Sequence, residues 1–219
     1  MKIKTDIENT GANESISAVR KKTMRQSGMA VWFTGLPGSG KTSVAACLEN
    51  MLLKANKPAY LLDEENLRLG LNSEAGLKNA AGGENVRRTA ETALLMADAG
   101  LITLVSTVSP YNKLRRLARE RISAAFPFIE VYISTDIKIC AKRDKKGMYQ
   151  KAFLGLINDF TGVSAPYEPP ENPEIIIDTE KLTAEEAAAA IFRHIKKIEK
   201  EALKNELSPQ QDCGVSKGF

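Results

Sequence analysis

The stretch Gly35-Leu36-Pro37-Gly38-Ser39-Gly40-Lys41-Thr42 decides how this chain is read. It has the form G-x-x-x-x-G-K-[ST]. Before it lies the short apolar run Ala30–Phe33, β-branched and aromatic, which predicts a strand. After it, Thr42–Asn56 carries apolar residues at 44, 48, 52 and 55, the stripe of an amphipathic helix. In that setting the glycines let the backbone curl so that successive N–H groups face phosphate oxygens. The helix that follows adds its positive end. Lys41 reaches the β/γ-phosphates and the Thr42 hydroxyl suits Mg²⁺. A tight strand–helix turn would explain the glycines but not the Gly-Lys-Thr ending. Gly35, Gly38, Ser39, Gly40, Lys41, Thr42 and Ser43 are therefore the expected ATP-binding residues.

Outward from this loop, apolar runs alternate with amphipathic segments. Ala59–Leu62, Leu101–Val105, Ile129–Ile133 and Ile175–Ile177 read as strands. Glu84–Ala99 carries a helical stripe at 86, 90, 94 and 97 and stops at Gly100. Asn112–Phe126 is basic and amphipathic. Thr183–Leu203 opens with the capping box Thr183-x-x-Glu186 and carries a stripe at 191, 195, 198 and 202. Strands alternating with helices predict an α/β three-layer domain with a parallel sheet covered on both faces. Ligands then bind outside the carboxyl ends of the strands.

The chain has 219 residues, and at about 100–200 residues per domain this is one domain with short tails. The expected division is a polar, basic arm over 1–28, a domain over 29–205 and a tail over 206–219. The net charge of +4 is too small to argue for nucleic acid. No apolar run approaches the ~18 residues of a membrane span, and the first 28 residues carry no apolar signal core. Cys47, Cys140 and Cys213 are odd in number and widely spaced, which disfavours disulfides and zinc and fits a reducing, cytoplasmic setting. Cys47, Cys140, Trp32 and His194 read as packing or boundary residues.

The second predicted strand ends in Asp63-Glu64-Glu65-Asn66-Leu67-Arg68. A carboxylate at that strand end can hold Mg²⁺ through water or take the proton of an attacking hydroxyl. N-capping of the next helix is the alternative for Glu64 and Glu65. Arg68 can clamp an anionic acceptor. Arg87 and Arg88 lie about 100° apart on one helix, so at most one faces the site. A guanine-reading Asn-Lys-x-Asp is missing, since Asn112-Lys113 continues Leu114-Arg115. Phosphoryl transfer to a small acceptor is the expected chemistry.

From Val31 to about Leu182 the chain resembles the adenylylsulfate kinase (APS kinase) family. The resemblance rests on Trp32-Phe33-Thr34-Gly35, Asp63-x-x-Asn66-x-Arg68-x-Gly70-Leu71, Glu84-Asn85-x-Arg87-Arg88 and Ala97-Asp98-Ala99-Gly100. It continues through Ser109-Pro110-Tyr111, Arg143-Asp144-x-Lys146-Gly147-x-Tyr149 and Phe160-Thr161-Gly162-Val163-Ser164-Ala165-Pro166-Tyr167-Glu168-x-Pro170. It implies a P-loop NTPase fold with five parallel strands in the order 2-3-1-4-5. It also implies ATP- and Mg²⁺-dependent phosphorylation of the 3′-hydroxyl of adenosine 5′-phosphosulfate (APS). In the roles it implies, Lys41 and Asp63 are catalytic, Asp63 as general base or Mg²⁺ organiser alongside Thr42. Arg68, Asn85, Arg88, Ser109 and Phe160 contact the acceptor nucleotide, with Phe160 stacking on its base. Arg143 lies over the ATP adenine. Residues 142–162 form a mobile lid that excludes water. A homodimer is implied as well.

Several positions depart from the family pattern. Its Asp-Gly-Asp-Asn reads Asp63-Glu64-Glu65-Asn66 here, and the histidine after the arginine is Leu69. Its Gly-Phe-Ser is Gly76-Leu77-Lys78, and its Asp-Arg before Glu-Asn is Ala81-Gly82. Leu156 and Asn158 replace a basic and an acidic residue. The ATP half is intact and the acceptor half is altered. A second expectation is therefore the same machinery acting on another nucleotide-linked acceptor, such as cytidine diphosphoramidate. A non-catalytic ATP-binding regulator is a third, against which Lys41, Thr42 and Asp63 argue.

Overall fold

Strand β1 (Met29–Gly35) is buried along its whole length, and the rest of the molecule is arranged around it. The computed structural model of the chain describes residues 16–73 and 79–207. Within them β2 (Ala59–Asp63), β3 (Ile102–Ser106), β4 (Phe128–Ile133) and β5 (Ile175–Ile177) join β1 in one sheet, in the order β2-β3-β1-β4-β5. Every pairing is parallel; Val31 lies between Leu104 of β3 and Ile129 of β4. The expected class and strand order are thus both observed.

The period of two along β1 divides the core. Val31 and Phe33 face one layer, where Val44, Leu48 and Leu52 of α2 (Lys41–Lys54) meet Ala188, Ile191 and Ile195 of α8 (Ala184–Leu207). Ala30 and Trp32 face the other, against Val86, Ala90 and Leu94 of α4 (Asn79–Asp98) and Ala118 and Ile122 of α5 (Asn112–Ser123). Each buried large side chain contributes about 1.5–3 kcal/mol of transfer free energy. The helical stripes read from the sequence are buried at 44, 48 and 52, at 86, 90, 94 and 97, and at 191 and 195; towards the helix ends Ala55 and Ala202 are exposed and Ile198 is half-buried. The capping box forms: the Glu186 N–H donates to Thr183 Oγ1 at 3.2 Å and the Thr183 N–H to Glu186 Oε2 at 2.9 Å.

Strand β2 is the sheet edge, as the implied order has it, and only Leu62 is buried in it. A helix, α1 (Ile16–Met24), lies within the segment read as a polar, basic arm. Arg20 pairs with Asp98, and Gln26 Nε2 donates to the carbonyls of Pro58 and Gly100 at 2.7 and 2.8 Å. Three short helices complete the domain: α3 (Glu64–Arg68), which follows the strand-end acids, α6 (Ile137–Lys142), which carries Cys140, and α7 (Met148–Phe153). Leu77 and Cys213 fall outside the described residues, as do 1–15 and 208–219.

Candidate active site

At the carboxyl end of β1 the chain turns through the glycine-rich loop into α2. Gly35, Gly38 and Gly40 have φ of 152°, 75° and 99°. A Cβ on Gly35 would stand 2.5 Å from the Ile133 carbonyl oxygen, so only glycine fits there. The loop is held from below: Thr135 Oγ1 and Thr179 Oγ1 both donate to the Ser39 carbonyl, at 3.1 and 2.8 Å. Gly40 caps α2 without a side-chain acceptor, so the first N–H groups of the helix are open to an anion.

Lys41 is buried, and its Nζ donates to the Gly35 and Leu36 carbonyls at 3.0 and 2.9 Å. Burial lowers its pKa from 10.5 to about 8, against the opposing pull of Glu64, Cys140 and Asp63. The Thr42 hydroxyl donates to Asp63 Oδ1 at 2.7 Å. Ser106 Oγ lies 2.9 Å from the same Thr42 oxygen. A hydroxyl has one proton, so Ser106 is the donor in that contact and the chain runs Ser106 to Thr42 to Asp63. Asp63 Oδ2 accepts the Glu65 N–H at 3.2 Å, which makes Asp63 the N-cap of α3.

Arg143 reaches back over the loop, donating to Thr179 Oγ1 at 2.7 Å and to its carbonyl at 2.8 Å. Together with Gly38, Gly40, Lys41, Thr42 and Ser43 it lines a cleft of about 460 Å³. All the expected ATP-side residues except Gly35 and Ser39 line this cleft; those two form the loop's floor, with Ser39 fully buried. A second cleft, of about 590 Å³, runs under Gly162–Tyr167, and none of the expected acceptor residues lines it.

Of the expected acceptor residues, Arg68 follows β2, Ser109 follows β3, Asn85 and Arg88 are on α4, and Phe160 follows α7. Arg68 Nη2 bonds Glu64 Oε1 at 2.6 Å. Arg88 bonds Glu84 at 2.9 Å and the Leu71 carbonyl at 2.9 Å. Arg87 is also on Glu84 but is mostly exposed. These two arginines hold the Glu84 carboxyl down at about 2. Asn85 Oδ1 is buried and accepts nothing among the described residues. Ser109 sits at φ 35°, a strained value for a side-chain-bearing residue, and its Oγ accepts from Trp32 Nε1 at 3.1 Å. Trp32, read as core, is core and also a donor to this loop. Phe160 packs edge-on against the ring of Tyr149, centroids 4.9 Å apart. Asn158 is exposed.

Sequence reasoning passed over several residues that the site uses. Ser106 and Thr179 lacked any motif. Tyr149 lay inside a quoted motif but had no role, and Glu64 was read as a strand-end carboxylate or an N-cap, not as a partner of Arg68. Arg115, on α5, is buried; it donates to the Ser109 carbonyl at 2.5 Å and pairs with Glu130 at 3.0 Å. Among the described residues, no three or more His, Cys, Asp or Glu gather to hold a metal.

A glycine-cradled lysine beside a threonine and a strand-end aspartate, in a sheet of this order, makes the molecule a P-loop kinase. The relatives narrow that class. The family model for adenylylsulphate kinase matches residues 27–178. The adenylyl-sulfate kinase of Clostridium acetobutylicum is 47% identical over 177 residues, 81% of this chain and 88% of that protein. That of Saccharomyces cerevisiae is 42% identical over 177 residues, 80% of this chain and 88% of that protein. The APS kinase CysC of Mycobacterium tuberculosis, solved in complex with AMPPNP and APS, superposes with a TM-score of 0.76 at 41% identity. The match covers 78% of this chain and 99% of that one. The chain belongs to the adenylylsulfate kinase family.

Proposed function

We propose that the chain transfers the γ-phosphoryl group of ATP to the 3′-hydroxyl of adenosine 5′-phosphosulfate. The observation that carries this reading is the Lys41–Thr42–Asp63 constellation on an intact phosphate loop, in a chain of this family. The acceptor 3′-oxygen bonds to the γ-phosphorus, and the bond to the β–γ bridging oxygen breaks. ADP leaves, and the hydroxyl proton passes to Asp63. Lys41 leaves the loop carbonyls for the phosphates and meets the charge on the transferring group. Arg143 lies along the nucleotide's base. Residues 142–162 form the lid, already tied down in this structure by Tyr149, whose hydroxyl donates to the Pro37 carbonyl at 2.8 Å.

The oxygen donors at the loop fit Mg²⁺, a hard cation that takes few protein ligands besides phosphate oxygens and water. Thr42 would hold it directly and Asp63 through water. When bound it neutralises charge on the β- and γ-phosphates. On the acceptor side, Arg68, Asn85, Arg88, Ser109 and Phe160 form the binding set. The unpartnered, buried Asn85 Oδ1 and the strained Ser109 support that placement.

The homodimer and the cytoplasmic location stay within the proposal. The first rests on the resemblance and is tested by light scattering on eluting protein. The second is supported by free Cys47 and Cys140. No helix among the described residues is long and apolar enough to cross a membrane.

ADP release is measured with Mg²⁺-ATP against APS, CDP-linked compounds and nucleoside monophosphates. Turnover with APS at micromolar concentration is the expected result. Silence with APS but turnover with a CDP-linked acceptor would transfer the assignment to that substrate.

A further inference from the structure

Glu64 stands among the acceptor residues without belonging to them. Its Oε1 accepts from Arg68 Nη2 at 2.6 Å. Its Oε2 accepts from the Val108 N–H at 2.8 Å and from the Thr107 hydroxyl at 3.1 Å. Those donors come from two elements, α3 and the segment that follows β3. The side chain is only 22% exposed. Its neighbour Glu65 makes the opposite kind of contact: the Glu65–Lys146 pair is 76% and 69% exposed, so solvent screens it and it holds little.

Three donors are more than an N-capping residue of a five-residue helix requires, and Asp63 already caps that helix. A glutamate carboxyl that accepts from an arginine and from a backbone N–H is ionised at neutral pH.

We propose that Glu64 determines acceptor affinity and specificity: its carboxylate occupies, on Arg68, the place that the anionic tail of a nucleotide acceptor takes. This rests on the reading above that Arg68 faces the acceptor. An incoming 5′-phosphosulfate meets a neutralised guanidinium and must displace Glu64 or share Arg68 with it. Acceptors that bring more negative charge compete better for Arg68; an uncharged nucleoside gains nothing from the competition.

The test is a calorimetric double-mutant cycle on the whole chain, with ADP present so that no transfer occurs. Glu64→Gln keeps an oxygen for the Val108 N–H and removes the charge. It is expected to tighten APS binding about tenfold. The gain should vanish in the Arg68→Ala background, and adenosine binding should not move. Cooperative thermal unfolding of each variant verifies that the fold is intact. Unchanged or weaker APS binding in Glu64→Gln overturns the proposal, and so does a gain that persists without Arg68. A chain that shows the expected cycle yet transfers no phosphoryl group to APS supports the role of Glu64 and refutes the acceptor assignment instead. Absence of APS binding in every variant refutes both.

Discussion

The hydroxyl of Tyr149 donates to the carbonyl of Pro37 across 2.8 Å, joining α7 to the phosphate loop. The same ring is buried and meets Phe160 edge-on. Its neighbours also fix α7, because the Tyr149 N–H donates to Asp144 Oδ2 at 2.6 Å. Burial pushes the Tyr149 phenol well above its ordinary value, so it remains a donor throughout the working pH range. One side chain thus couples the ATP loop to the residue expected to stack on the acceptor base.

Tyr149→Phe removes only the hydroxyl bond, worth about 1 kcal/mol net. The expected result is a leakier lid: the ratio of acceptor-free ATP hydrolysis to transfer rises about fivefold. Tyr149→Ala also removes the packing on Phe160 and should raise the acceptor KM as well. Identical hydrolysis-to-transfer ratios in the wild type and both variants would rule out this coupling.

Asp63, the proposed base, carries a different expectation; Thr42 donates to its Oδ1. Asp63→Asn preserves the oxygen that accepts from Thr42 and removes the base. The kcat should fall about 10²–10⁴-fold, while ATP affinity by calorimetry stays within a few-fold of the wild type. A variant that keeps its kcat would assign the base to another residue.

The phosphate loop was legible in the sequence because its geometry is local: three glycines, a lysine and a threonine within eight residues, between a strand and a helix. The sheet was legible for a related reason, since strands buried on both faces read as apolar runs. What escaped depends on contacts distant in sequence. Helix α1 has a weak apolar stripe, and its anchors, Asp98, Pro58 and Gly100, lie 32 to 78 residues away. Thr179 reaches Ser39 across 140 residues. Glu64 and Glu65 looked interchangeable, and only the arrival of the Val108 N–H from the segment after β3 distinguishes Glu64.

Arg115 is a further long-range case, and its loss should be costly. Its side chain is 2% exposed and that of Glu130 9%, with 3.0 Å between the charged groups. Arg115 also donates to the carbonyls of Ser109 and Glu168, each at 2.5 Å. It thereby ties the acceptor loop after β3 to the end of the Phe160–Glu168 segment. Arg115→Met leaves Glu130 buried with only Arg119 beside it. Urea unfolding should show a loss of about 3–5 kcal/mol. Arg115→Met with Glu130→Leu should recover part of that loss. A single variant within 1 kcal/mol of the wild type would mean that the pair is not a structural anchor.

The last expectation concerns protons. With its pKa lowered by burial to about 8, Lys41 is roughly half deprotonated at pH 8 when no nucleotide is bound. Nucleotide phosphates favour the ammonium form and raise that pKa. ATP binding at pH 8 should therefore take up about half a proton, and almost none at pH 6.5. Calorimetry in two buffers of different ionisation enthalpy reads the uptake directly. The same shift has a stability consequence whose sign follows from proton counting. The unfolded chain, with this lysine at 10.5, binds more protons than the folded one between about pH 8 and 10.5. The contribution of Lys41 to stability therefore rises with pH through that window, and the penalty of burying its charge is fully present below it. Lys41→Met should abolish the proton uptake at pH 8. Uptake that survives this substitution would assign the titrating group elsewhere.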